Sequence, residues 1–535
     1  MFRDESKSVV RKAAASTHKN KRPDRPARKA IPERNPVRSG RSPVVVESDF
    51  DLNTEDPQHI YLLRQLGQRP LEIQPSQELE AAKYEAICYF LRSNALPGSF
   101  WTTDIISKFL LKAGGLASQR AMQASVVATA TAMLSRVRKI PSLNDVAHRE
   151  YGSALRLLNT ALADIDQAKS NQTLGTVVLL AIYEVVTSRA PEDIDSWTNH
   201  INGATALLDL RGVEQLKSDA GLRLFLHLRY QIVSAVGSYL GSKLTPCQII
   251  SCLQRDARVP QSLLDCTQFA MFLRPAEAHG SRLVMIIGKL SNLRADIRTN
   301  VFNNEREIIS AASAIEADLI AWLASLPPEF NYETSVKSPF DFAFRQRFRG
   351  IDTYDDQYHV YSNLWVCNSW NQYRSARIIV SEIILSHVRR ISDSTSLSSL
   401  STEFRLQCRT LRSTMRRLAV DICRGVPFYF NAHQAVKEPS LPPPESYIGG
   451  LVLLWPLFVA GIVENPRHGL RRWVVKCLEM IGNTMGIDQA LAVADMVAAD
   501  PGVLQFVTEE EDPLIEVSGA PDLTSRLPHP VAPTR

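Results

Sequence analysis

The 535-residue chain is sparing in cysteine and lacks a long uncharged run, and each shortage excludes something. Eight cysteines, at positions 88, 247, 252, 266, 367, 408, 423 and 477, are too few and too scattered for a small disulfide-stapled scaffold. They predict a reducing compartment. No apolar stretch follows the opening Met1-Phe-Arg-Asp-Glu-Ser-Lys, which excludes a secretory signal peptide and predicts a chain that starts inside the cell. The longest nearly uncharged apolar run, Tyr447 to Val463, has 17 residues and contains Gly449, Gly450, Pro456 and Gly461. A bilayer span needs about 20, so this run is read as a core helix and no membrane partner is expected.

The signatures of common catalytic sites are missing as well. The chain has no G-x-S-x-G elbow, no G-x-G-x-x-G turn, no G-x-x-x-x-G-K-[ST] phosphate loop, no H-E-x-x-H and no C-x-x-C. Cys247, Cys252 and Cys266 form the densest cysteine group, but no histidine stands nearby in ligand spacing, so they read as ordinary thiols. His200 follows Trp197 by three residues on a helical pattern. Without a visible second ligand or base it reads as a packed or capping side chain. Glu184 interrupts an apolar run and Arg211 follows another helix end, and a buried charge needs a partner, so a Glu184–Arg211 pair across the intervening hairpin is expected. No catalytic residue and no metal ligand is assigned.

What the chain has in abundance is apolar surface, 45% of its residues against 22% charged, enough for a large core. The charge is unevenly placed. Residues 1 to 43 hold thirteen Lys or Arg against Asp4, Glu5, Asp24 and Glu33, a net of +9, whereas the whole chain carries only +5. With prolines at 23, 26, 32, 36 and 43 and few large apolar residues, this tail cannot offset the entropy of ordering and is expected to be disordered. Its clusters Lys19, Lys21, Arg22 and Arg25, Arg28, Lys29 suit phosphate contacts of no sequence preference or a nuclear-import receptor, and equally a solvated arm. The acidic stretch Glu47 to Asp56 closes the tail.

From about residue 75 apolar residues recur at helical spacing, which predicts an all-α body. Tyr151, Ala154, Leu155, Leu158, Leu162 and Ile165 mark one amphipathic helix over 144–166, with Asn144-Asp145 as its cap after Pro141. Leu174 to Val186 reads as a central, fully buried helix. Further helical patterns cover 121–138, 196–210, 219–241, 281–296, 305–325, 356–388, 403–424, 446–463 and 467–498. The segments 326–354, 392–402 and 439–445 read as surface loops or hinges. No fixed-period repeat or heptad run is present.

Five groups of residues together resemble a known family. They are Tyr183-Glu184 with Trp197, His200, Gly203, Arg211 and Gly212; Tyr361 and Trp365 with Trp370 and Arg374; Asp421 to Phe428; Trp455-Pro456; and Ile481-Gly482 with Met485 to Ile487. Their order and spacing over nearly all of 75–500 resemble the regulatory domain of fungal zinc-cluster transcription factors, the second type of fungal-specific transcription factor domain. The resemblance implies a large multi-helical regulatory domain at 75–500, a basic and acidic tail at 1–74 and a flexible C-terminal tail at 501–535. In such proteins six cysteine thiolates hold two zinc ions and present a helix to the DNA major groove. No cysteine precedes Cys88, so no cofactor is assigned to this chain, and zinc is expected only with a cysteine cluster upstream.

The resemblance also implies a nuclear regulator of RNA polymerase II transcription, with transcription machinery or co-regulators as partners, and is compatible with a homodimer. As written, the chain is expected to touch DNA only through phosphates, because phosphate contacts position a protein but carry no base information. Two other readings stand beside it. One is a DNA-independent helical module competing with a full-length relative, and the other is an enzyme with a helical pocket, for which no nucleophile, base and electrophile stabiliser assemble in the sequence.

Overall fold

In the computed structural model the described residues are 75–94, 115–189, 194–235, 258–337, 344, 348, 350–394, 402–432, 445–500 and 502–503. The basic tail with Lys19, Lys21, Arg22, Arg25, Arg28 and Lys29, the acidic stretch 47–56, Cys247, Cys252 and nearly all of the expected C-terminal tail lie outside them.

The described chain is all-α, as the spacing requires, with one two-stranded exception. Five helices form the N-terminal half of the core: α1 (Pro75–Asn94), α2 (Ala117–Arg138), α3 (Pro141–Ala161), the single turn α4 (Ile165–Ala168) and α5 (Asn171–Thr187). In α5 every residue from Thr173 to Val186 is buried except Glu184, which confirms it as the central helix. Helix α2 packs along both α3 and α5, and its many alanines and small hydroxyl residues let the backbones approach. The Thr129 hydroxyl donates to the carbonyl of Leu179 across that contact at 3.0 Å.

The expected helix over 144–166 is two helices. Pro141 takes the first position of α3, where its missing N–H costs nothing, so Asn144 and Asp145 lie inside the helix rather than capping it. The chain breaks after Ala161, and Asp164 then caps α4 by accepting from the Asp166 and Gln167 amides.

Next come α6 (Ile194–Arg211), a 3-10 turn over Gly212–Lys217, α7 (Asp219–Ala235) and α8 (Gln261–Leu273). Helix α8 escaped the sequence reading. It buries Leu263, Cys266, Thr267 and Ala270 but also exposes Phe269, Phe272 and Leu273, so its apolar stripe is blurred.

Helices α9 (Ala278–Arg298) and α10 (Glu305–Ala324) lead into the hairpin of β1 (Glu333–Val336) and β2 (Gln357–Val360). The strands are antiparallel, with Glu333 opposite Val360 and Val336 opposite Gln357. The helix expected from 356 therefore begins only at Leu364, and the break expected over 326–354 contains a strand. Four-residue strands separated by twenty residues leave too little alternation to detect.

The C-terminal half consists of α11 (Leu364–Ser394), α12 (Thr402–Tyr429), α13 (Glu445–Gly461), α14 (Gly469–Met485) and α15 (Asp488–Ala499). The single helix expected over 467–498 is broken at Gly486. Its φ of +68° suits glycine, and a Cβ there would lie 2.4 Å from Cβ of Arg136 on α2. No helix among the described residues is long and apolar enough to cross a membrane.

Candidate functional site

Two polar clusters sit inside this apolar body, one in each half. The first grows from Glu184, the single residue of the α5 run that is not buried with its neighbours. Its carboxylate accepts from the Tyr151 hydroxyl of α3 and from Ser188 at 3.3 Å. His200 of α6 places Nε2 3.1 Å from the Tyr151 oxygen and 3.8 Å from Glu184. The Tyr151 ring stacks on Tyr183 at 4.3 Å, and burial, reinforced by the Glu184 charge, raises both phenols above the usual range. Tyr151 therefore stays protonated and donates. The result is a clasp of phenol, carboxylate and imidazole that ties α3, α5 and α6 together, with the His200 and Glu184 side chains 14% and 12% exposed.

Arg211 takes no part in this clasp. Its Nη1 donates to the Ser170 carbonyl at 3.1 Å and its Nη2 to the Asn171 side chain, so the expected Glu184–Arg211 pair does not form. Both acceptors are neutral, and burial lowers the Arg211 guanidinium to about 10. Arg211 thus fastens the end of α6 to the start of α5. Gly212 then turns the chain at φ +56°. Gly203 is buried, where an added Cβ would stand 3.8 Å from Val177, and Trp197 is half-buried against the core.

The second cluster surrounds Arg374 on α11, which is 1% exposed. Its guanidinium lies 5.2 Å from the Tyr332 ring, 5.2 Å from Trp370 and 5.9 Å from Tyr361, an aromatic cage suited to a desolvated cation. Nη1 donates to the Tyr361 hydroxyl at 2.7 Å and to Asn371 Oδ1 at 3.3 Å. Gly425 makes room for this on α12, since a Cβ there would stand 3.3 Å from the Tyr361 oxygen.

Beside the cage, His359 of β2 holds Nδ1 3.0 Å from the Thr334 hydroxyl and Nε2 3.5 Å from Asp421 of α12. Burial lowers His359 to about 4 against the pull of Asp421, so the imidazole is neutral. Burial alone would raise the Asp421 carboxyl; the contact with His359 and the guanidiniums of Arg374 and Arg424 hold it below the usual range. Arg424 also reaches Asp355 at 3.0 Å. The Trp370 indole donates to the Phe330 carbonyl at 2.8 Å, and Trp365 meets the Phe330 ring at 5.2 Å.

Trp455 and Pro456 stand apart from both clusters. Trp455 stacks on Phe458 and borders a cleft between α9, α11 and α13 that includes Arg294 and Glu382. Burial raises the Glu382 carboxyl and lowers Arg294 to about 10, and each charge partly offsets the shift of the other. Pro456 is buried within α13. The sequence motifs thus point to residues that the fold distributes over three places. Tyr151, Tyr332 and His359 escaped as site residues because only tertiary contact brings them to their partners.

Residues 104–346 match the model of the fungal-specific transcription factor domain. The chain is also 26% identical over 243 residues to Transcription factor dbaG of Emericella nidulans, an alignment covering 42% of this chain and 54% of that protein. The chain thus spans about half the length of the curated relative it matches. No solved structure is significantly similar.

The matched stretch is shorter than the 75–500 over which the motifs suggested likeness. It takes in the clasp and Arg211, whereas of the cage it reaches only Tyr332. Zinc, which the resemblance associates with six clustered cysteines, finds no fit among the described residues. Their six cysteines are all free, and no three His, Cys, Asp or Glu side chains gather to hold an ion.

Proposed function

We propose that this protein is a nuclear regulator of RNA polymerase II transcription whose helical body is the control unit. The observation that carries the reading is the domain match over 104–346, and the likeness to a curated transcription factor supports it. The body acts through contacts with transcription machinery or co-regulators and catalyses no reaction. The clasp and the cage are the knots that keep its helices in register. The basic clusters Lys19, Lys21, Arg22 and Arg25, Arg28, Lys29 serve nuclear import and salt-sensitive phosphate contact. No cofactor is assigned to the body, and zinc belongs to the proposal only through a six-cysteine cluster.

The test joins the full chain to a heterologous sequence-specific DNA-binding domain above a reporter gene. A several-fold change in transcript, up or down, is the expected result, and an unchanged reporter at equal protein level overturns the reading. A fluorescent fusion should concentrate in the nucleus and spread to the cytoplasm when the six basic residues become Gln.

A further inference from the structure

Helices α12 and α13 run antiparallel, and the point where they part company defines a basic overhang. At one end, a Cβ on Gly449 of α13 would lie 2.9 Å from the carbonyl oxygen of Tyr429, the last residue of α12. At the other, Arg416 of α12 donates to Glu464, three residues past the end of α13, at 2.6 Å. From Arg416 back to its start α12 extends beyond α13 by about 20 Å, at about 1.5 Å per residue. In this overhang Arg405, Leu406, Gln407, Arg409 and Thr410 are all exposed, Leu406 at 62%. Arg405 and Arg409 are one helical turn apart on one face. Neither has an ion-pair partner among the described residues, and the carboxylate nearest in sequence is Glu403.

The last described residues of the chain, Gly502 and Val503, lie at the foot of this overhang. Arg471, 1% exposed, draws the ends of α13 and α15 together by donating to Gly461 at 2.8 Å and to Val497 at 3.0 Å. Gly502 then lies against Glu464, since a Cβ there would be 2.4 Å from its carbonyl oxygen, and Val503 donates to Ile462 at 2.8 Å. Six residues beyond Val503 the sequence reads Glu509-Glu510-Glu511-Asp512. Six residues reach at most about 20 Å, and Arg405 is only about 16 Å along α12 from Arg416.

We propose that this acidic run docks on the overhang of its own chain, pairing its carboxylates with Arg405 and Arg409. Opposite charges and a short tether favour the intramolecular contact over any free polyanion, because the tether sets a high effective concentration. The docked run keeps a basic face of the body from nucleic-acid phosphates and from acidic partner proteins. Removing the run opens that face.

Amide hydrogen exchange on the full chain at low salt tests this. Peptides covering 402–413 and 505–516 should both exchange at least about threefold faster in R405E/R409E, and likewise in E509R/E510R. The variant carrying all four substitutions should restore the slow exchange. The tail substitutions change none of the packed residues described above, so they keep the test valid if the helix variant unfolds. Equal exchange in every variant overturns the proposal, as does failure of the fourfold variant to recover. Protection that disappears on dilution assigns the contact to a second copy and overturns it too. So does added duplex DNA that slows 402–413 equally in the wild type and in E509R/E510R.

Discussion

The clasp in the N-terminal half and the cage in the C-terminal half solve the same problem in different ways. Each lets a polar group cross an apolar core, and each ties three elements together. The clasp leaves its carboxylate and imidazole 12% and 14% exposed and joins helices that follow one another closely in sequence. The cage shuts Arg374 in at 1% exposure and gathers Tyr332, Tyr361 and Gly425 from the hairpin region and α12. Water still reaches the clasp and lowers the penalty for an imperfect bond there, whereas in the cage aromatic faces and protein oxygens must replace the solvation shell entirely.

This contrast sets the expected size of each effect. Arg374→Ala removes the cation from between three rings and leaves the Tyr361 hydroxyl and Asp421 without it, so a loss of about 3–5 kcal/mol is expected in denaturant unfolding. A loss no larger than that of a clasp variant would erase the distinction. Next comes pH. His359 is lowered to about 4 in the fold against an ordinary 6.5, so between those values the unfolded chain binds a proton that the folded chain refuses. Stability is therefore complete above pH 6.5 and falls as pH drops through 4, by about 3 kcal/mol in all. Urea titrations across that range should show the slope flatten in His359→Gln. The depressed Asp421 carboxyl contributes in the same direction, but its share is lost only at lower pH.

Smaller effects belong to the N-terminal half. Tyr151→Phe deletes one donor to Glu184 and keeps the stack on Tyr183, so about 1–2 kcal/mol should be lost, with the melting temperature as the readout. Gly212→Ala meets no atom within 4 Å but must adopt φ +56°, and the strain should cost about 1 kcal/mol. If that variant lost as much as Tyr151→Phe, the turn after α6 would matter to this half as much as the clasp does.

Helical periodicity carried most of the body into view, and it carried the clasp further than the cage. Glu184 stood out as a charge in an apolar run, and His200 and Tyr183 were marked by the family motif. The partner chosen for Glu184 was wrong because sequence order makes Arg211 look close, while the actual partner Tyr151 projects from a helix two elements earlier. The cage was half legible: Trp370 and Arg374 belonged to a motif, but Tyr332 and His359 reside on a hairpin too short to leave an alternating pattern. The two merged helices, over 144–166 and 467–498, show the same limit. A break of two or three residues barely disturbs a hydrophobic stripe, and Gly486 became decisive only because Arg136 lies against it.

By itself the sequence determined that this chain is helical, that its core is large, and that it resembles the regulatory domain of fungal transcription factors. Spacing of apolar residues is a local property, and the chain carries it without help. The tertiary structure alone decided which acceptors satisfy each buried charge, where the hairpin closes over Arg374, and that Val503 ends up beside Glu464 near the exposed arginines of α12. Those are relations between residues far apart in the chain, and only packing supplies the distances that make them interact.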